Sequence, residues 1–240
     1  MDWTEGTDRP IVGILAQELP SMYRLLGKTS FVPADYVEAI KSSGARAVPI
    51  FINQTQDYYE QIMTSVNGVL FPGGGTNFAA PHGYAAAGRI IMDIAEKLQN
   101  TGVSFPILGV CQGFQLLMYL AANSTSEDNV LVGCNATNVA LPLDFRPGFN
   151  RSSLFSNASL EIVEILQNLP VTSNHHRYCV TEKTLKSHGL QKSWQVLSTN
   201  LDVNGFQFIS SVEHFQRPFV GLQFHPEVNA FKWNLGQANP

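Results

Sequence analysis

The chain has 240 residues, of which 44% are hydrophobic and 14% charged, with a formal net charge of −4. That length suits one large α/β domain or two small ones with ample core, and the balance is that of an ordinary globular protein. No Lys/Arg cluster marks a nucleic-acid partner, no apolar stretch is long enough to span a bilayer, and the opening MDWTEGTDRP lacks the apolar centre of a signal peptide.

In chain order, PIVGILAQ (Pro10–Gln17) predicts a buried strand. VPADYVEAIKSSGA (Val32–Ala45) predicts a helix with Val37 and Ile40 on its inner face and Gly44 as its stop. RAVPIF is the next strand, and TQDYYEQIMTSV (Thr55–Val66) a helix with Tyr58, Ile62 and Val66 at helical spacing. GVLFPGGG (Gly68–Gly75) is a short apolar strand running into glycines. A long helix, GYAAAGRIIMDIAEKLQNTG, precedes the strand FPILGV and the helix GFQLLMYLAANS.

Strands alternating with helices predict an α/β fold with a mostly parallel central sheet, helices on both faces and right-handed crossovers. Apolar strands without alternation agree with a sheet buried on both sides. In the second half, NVLVGCNATNVALPLDF and WQVLSTNLDVNGFQFISSVEH read as added antiparallel or edge strands, and FVGLQFHPE (Phe219–Glu227) as one more apolar strand. Between them lie a helix, Leu160–Leu169, and a polar segment, TSNHHRYCV. With no repeat, low-complexity run or linker, residues 1–240 read as a single domain.

The motif Gly109-Val110-Cys111-Gln112-Gly113 falls between a predicted strand and a predicted helix. A sharp strand-to-helix turn strains its central residue and exposes it, and flanking glycines let strand and helix pack closely, as in the G-x-S-x-G turn that presents a serine nucleophile. A cysteine there also sits at a helix N-terminus, where free N–H groups and the helix dipole favour a thiolate. The plain alternative is a packed cysteine in a glycine-rich turn. A thiol needs a base, and QFHPE supplies His225, with Glu227 two residues on to hold the imidazole; on a strand, residues i and i+2 share a side. LFPGGGTNF lacks G-x-G-x-x-G and so makes a poor phosphate loop. It suits an oxyanion hole, with the amides of Gly73 and Gly74 joined by that of Gln112 after the nucleophile.

The other cysteines, Cys134 and Cys179, read as buried small residues, and a disulfide between them would leave Cys111 free. Five N-x-[ST] sites, at Asn53, Asn123, Asn135, Asn150 and Asn157, exceed the roughly two that composition alone would give. This excess leans toward glycosylation in the secretory pathway.

The elbow cysteine, the Gly-Gly loop and the strand-end His-Pro-Glu together resemble the class I glutamine amidotransferase-like superfamily, of flavodoxin-like fold. The order Cys, His, Glu differs from the Ser, acid, His of α/β-hydrolases, and Gln112 stands where DJ-1/PfpI relatives place a histidine. Within the superfamily the chain resembles the γ-glutamyl hydrolases, through RPIVGILAQE, ADYVEAIKSSGARAVPI, SVNGVLFPGGG, VALPLDF and FHPE followed by AFKWN. The resemblance implies Cys111, His225 and Glu227 as catalytic residues. It also implies a substrate-handling histidine at the second His of TSNHHRY, His176, with His175 the alternative one position away. It implies cysteine-dependent hydrolysis of γ-glutamyl bonds, of folylpoly-γ-glutamates foremost, with neither metal nor organic cofactor. The expected partner is a small-molecule substrate, with no nucleic acid and no membrane; a homodimer is compatible. The expected location is lysosomal, vacuolar or secreted. Two departures stand out. Gln115 matches glutamine amidotransferases, where these hydrolases often carry glutamate. Relatives usually continue past the position of Pro240 into a closing C-terminal helix, so a short isoform or a fragment is expected. The rival readings are a glutaminase feeding ammonia to a synthase, and a catalytically impaired binding protein.

Overall fold

The computed structural model describes residues 8–19 and 27–231. Most of the expected opening segment, the AFKWN motif beyond Phe231 and the expected loss of a C-terminal helix lie outside the described residues.

The first half follows the sequence pattern closely. Strand β1 is Ile11–Leu15, followed by a two-residue strand β2 (Gln17–Glu18) that pairs with β3 (Ser30–Phe31). Helix α1 (Ala34–Ser42) ends just before Gly44, whose φ of 89° is open to glycine at little cost. Then come β4 (Arg46–Ile50), α2 (Gln56–Met63), β5 (Gly68–Phe71), α3 (Tyr84–Asn100), β6 (Ile107–Val110) and α4 (Gln112–Ala121). Thr55 caps α2 by accepting from the Tyr58 amide. Within α2 the inner face is shifted by one residue from Tyr58 and Ile62, whereas Val66, beyond the end of the helix, does join the core. Tyr59 and Met63 are fully buried, while Tyr58 and Ile62 only flank the core. Tyr58 is drawn to the rim because its hydroxyl accepts from the Phe51 amide.

The second half comprises β7 (Val132–Leu141), β8 (Asp144–Phe145), α5 (Leu160–Asn168), β9 (Thr172–Cys179), α6 (Glu182–Ser187), β10 (Trp194–Leu201), β11 (Gln207–His214), β12 (Phe219–Leu222) and α7 (Pro226–Phe231). The eight-stranded sheet runs β4-β1-β5-β6-β12-β11-β10-β8. Strands β4, β1, β5, β6 and β12 are parallel; β11, β10 and β8 extend the sheet antiparallel. The order 4-1-5-6 is that of a doubly wound sheet, whose strand order reverses beside β1 and leaves a crevice at the carboxyl ends of the strands.

Alternate residues of each parallel strand feed two cores. Leu15, Val69 and Phe71 pack with α2, α3 and α4 on one face; Ile14, Leu70 and Val110 pack with Tyr36, Val37 and Ile40 of α1 on the other. One sequence expectation is completed here and another corrected. The polar segment TSNHHRYCV, which the sequence pattern assigns to no element, forms β9, paired antiparallel with β7 in a separate ribbon. The polar composition hid the strand because this ribbon is solvated on one side. The last apolar strand also stops at Leu222, short of FHPE.

Candidate active site

Cys111 caps the N-terminus of α4, directly after β6, with φ 51° and ψ −110°. Backbone of that kind is strained for any side chain and persists only where the surroundings impose it. They do so here. The Cys111 amide donates to the Leu222 carbonyl of β12 at 2.7 Å. A Cβ on Gly113 would run into the Phe71 carbonyl, and one on Gly109 into the Gly113 backbone. The two glycines therefore let β5, β6 and α4 close on the turn, as the motif predicts.

His225 follows β12 in an irregular link, and its amide donates to the Ser173 carbonyl of β9 at 2.8 Å. Glu227 lies in the first turn of α7, behind Pro226, which has no amide to lose at the start of a helix. The pair therefore does not owe its alignment to strand alternation, contrary to the expectation from sequence. A helical turn folds Glu227 back, and its Oε1 lies 2.6 Å from His225 Nδ1. Glu227 is 5% exposed. Burial alone would lower the proton affinity of His225, but hydrogen bonding and charge from Cys111 and Glu227 outweigh it and raise the pKa to about 10. The folded value lies above the unfolded one, so this group favours the fold below about pH 6.5. That contribution is lost as the pH climbs through about 10. Urea midpoints at pH 7 and pH 10 should therefore differ more for the wild type than for His225→Asn. Equal differences would refute the coupling.

Tyr36 of α1 is a site residue that the sequence did not reveal. It is 4% exposed, its hydroxyl accepts from the Gly73 amide at 2.8 Å, and it lies 3.3 Å from His225 Nδ1. Burial, then the charges of Glu227 and Cys111, keep that hydroxyl protonated. The only sequence signal was its place one turn before Ile40 on an amphipathic helix. This contact bears on one expectation: the Gly73 amide is already engaged by Tyr36, which leaves the amides of Gly74 and Gln112 as the candidate oxyanion donors. A Cβ on Gly73 would meet Tyr36, His225 and Cys111 together, so the loop can run through this point only as glycine. We expect Tyr36→Phe to lower kcat by about 10-fold with KM little changed, since one hydrogen bond of roughly 1–1.5 kcal/mol is lost. An unchanged kcat would leave Tyr36 with packing alone.

Gln112 pins the glycine loop from the other side. Its Oε1 accepts from the Thr76 amide at 3.0 Å and from Gln17 Nε2 at 3.3 Å, and its Nε2 donates to the Thr76 carbonyl at 2.6 Å. The backbone amide of Gln112 is in the first turn of α4, where no intrahelical acceptor exists. Gln115, the residue that suggested an amidotransferase, is turned to β9: its Nε2 donates to the Tyr178 carbonyl at 2.8 Å and to Gln223 Oε1 at 3.3 Å.

Two clefts meet at the thiol. One, of about 660 Å³, is lined by Gly74, Gln112, Gln115, His175, His176 and Arg177. The other, of about 410 Å³, is lined by Tyr36, Gly73, His175, His225 and Glu227. Cys111 borders both. The two histidines of β9 face different ways. His175 is exposed, with its ring 5.7 Å from that of His225. His176 is 5% exposed and stacks edge-on against Phe208. Burial and the nearby His225 lower its pKa to about 4, so it is neutral near pH 7. Cys134 of β7 and Cys179 of β9 form a disulfide, and Cys111 is the free cysteine. All five sequon asparagines are exposed.

A sheet switching direction beside β1, with an elbow cysteine at the carboxyl end of β6, defines the class I glutamine amidotransferase-like fold. A solved structure from Thermoplasma acidophilum, described as a candidate GMP synthase component, shares that fold: its TM-score is 0.57 at 12% identity, over 93% of this chain and 87% of that one. Within this class the chain belongs to the peptidase C26 family, whose sequence profile matches residues 10–227. It is 36% identical to the γ-glutamyl hydrolase of Mus musculus over 98% of this chain and 72% of that protein. It is 33% identical to the γ-glutamyl hydrolase of Homo sapiens, over 94% of this chain and 69% of that one. With γ-glutamyl hydrolase B of Dictyostelium discoideum it shares 33% identity over 93% of this chain and 64% of that one. Among the described residues no helix is long and apolar enough to cross a membrane.

Proposed function

We propose that the protein hydrolyses γ-glutamyl bonds through a thioester on Cys111, with folate-borne poly-γ-glutamate chains as the principal substrate. The observation that carries the chemistry is the placement of Cys111 between two clefts, only one of which reaches His225. The cleft beside Gly74 and Gln112 takes the acyl half, and that beside His225 takes the leaving amine. The names of the mouse and human relatives support the γ-glutamyl bond.

In this mechanism the sulfur of Cys111 attacks the γ-carbonyl carbon. The carbonyl electrons move onto oxygen, which the Gly74 and Gln112 amides hold; one such donor is worth about 3–4 kcal/mol in the transition state. His225, protonated on the nitrogen left free by Glu227, gives its proton to the departing amine as the C–N bond breaks. Water then attacks the thioester, His225 takes its proton, and the sulfur leaves. Tyr36 and Glu227 hold the imidazole, and the β9 histidines form the wall facing the substrate, with His175 nearer the reacting atoms and His176 behind it.

The test offers free glutamine and pteroyl-poly-γ-glutamate separately to one folded preparation. Shortening of the polyglutamate, with glutamine untouched, is the expected outcome. Ammonia from glutamine with no shortening would establish the glutaminase reading. Gln115 lends that reading little support, because its amide nitrogen is engaged by β9.

For location we propose the lysosome, the vacuole or the exterior. Five exposed sequons and a disulfide support an oxidising, glycosylating route. Protein made in eukaryotic cells from its native precursor should lose mass on glycosidase treatment; an unchanged mass would count against this route.

A further inference from the structure

The Cys134–Cys179 disulfide has a third neighbour. His176 Nδ1 lies 3.6 Å from the Cys134 sulfur and 3.4 Å from the Cys179 sulfur. The ligand atoms of the three residues all fall within 4.8 Å of one another. A zinc ion bound tetrahedrally, at about 2.3 Å from sulfur and 2.0–2.1 Å from nitrogen, sets sulfur and nitrogen about 3.6 Å apart. The histidine is already at that spacing from both sulfurs.

The ring is also turned the right way. Asn174 Nδ2 donates to the Thr172 carbonyl at 2.8 Å, which directs Asn174 Oδ1 at His176. His176 Nε2 lies 3.1 Å from that oxygen, so it carries the proton and donates. Nδ1 then has its lone pair on the side of the sulfurs. An outer hydrogen bond that fixes the tautomer of a ligating imidazole is the usual support of a histidine metal ligand.

We propose that, once the disulfide is reduced, Cys134, Cys179 and His176 form a dithiolate–imidazole site for a thiophilic divalent ion, zinc foremost. Reduction is open to a small dithiol because Cys134 is partly exposed, whereas Cys179 is fully buried. Its thiolate attacks the Cys134 sulfur and releases Cys179. Its second thiol then displaces Cys134 from the mixed disulfide, so two electrons and two protons pass to the cysteines and the reductant ends as a disulfide. Zinc displaces one proton from each cysteine on binding. The ion would take over the cross-link between β7 and β9, the ribbon that carries His175 to the cleft. The chain offers only the short His176-x-x-Cys179 spacing as a hint, because the third ligand, Cys134, is 45 residues from Cys179.

The test uses full-length Cys111→Ala protein, so that the remaining thiols are Cys134 and Cys179. A phosphine, which takes up water oxygen as it reduces the disulfide, avoids a reductant that itself binds zinc. Zinc is titrated against a chromophoric chelator, and unfolding temperature is followed in parallel. The expected result is one ion per reduced chain, none in the oxidised chain, and a zinc-dependent rise in unfolding temperature confined to the reduced form. His176→Ala should weaken zinc binding at least 10-fold. Cobalt in place of zinc should give thiolate-to-metal absorption in the reduced parent, a readout that needs no further variant. Absence of stoichiometric binding, binding indifferent to His176→Ala, or a reduced chain that has already unfolded would each overturn the proposal.

Discussion

Cys111→Ala should lower turnover by roughly 10⁴-fold or more while the fold persists, because no other group can form the thioester. Alanine keeps a Cβ at φ 51°, so the strain of the elbow remains, and the stability lost should be limited to the thiol's share of the coupling to His225. The informative contrast is Cys134→Ala. That change breaks the disulfide and should cost about 2–5 kcal/mol of stability, yet protein still folded should keep its chemistry. Circular dichroism and kcat on both variants separate the two roles. A Cys111→Ala protein with near-normal kcat would remove the nucleophile assignment.

His225→Asn comes second, with an expected loss of about 10²–10⁴-fold in kcat. Glu227→Gln should cost less, since it keeps a hydrogen-bonding side chain beside Nδ1 and removes only the charge that stabilises the imidazolium. The ranking follows from geometry: Cys111 and His225 both approach the Gly73 backbone, whereas Glu227 acts through the ring, 2.6 Å from it. Glu227→Gln losing more than His225→Asn would reverse the roles assigned to the pair. The pH dependence of any residual activity in Glu227→Gln should shift to lower pH, because the carboxylate helps to hold the proton on the imidazole.

The disulfide and the site meet in β9. This strand supplies the Ser173 carbonyl that anchors the His225 amide, presents His175 toward the His225 ring, and is tied to β7 through Cys179. The alignment of His225 therefore depends on a ribbon outside the main sheet.

Much of the architecture was legible without coordinates. The alternation of apolar strands and helices from Pro10 to Ser124 is a local signal, and so is the G-x-C-x-G turn, where a few adjacent residues fix close packing around the cysteine; that the thiol is buried, at the meeting of two clefts, is a tertiary result. Sequence alone therefore determined the α/β class and the strand-to-helix turn at Cys111, and it singled out His225 as the partner proposed for it. What tertiary structure decided is long-range. Tyr36 reaches the site from α1, far ahead of Cys111 in the chain, because the doubly wound sheet brings both to one crevice; no pattern in the chain carries that distance. The Gly73 amide is taken by that tyrosine for the same reason. The polar β9 became a strand because β7 offered it a partner, and Cys134 met Cys179 only through that pairing. Helix faces and strand runs are set by neighbours in the sequence. Which side chains share a proton, a sulfur or an oxyanion depends on contacts whose register emerges only when the chain folds back on itself.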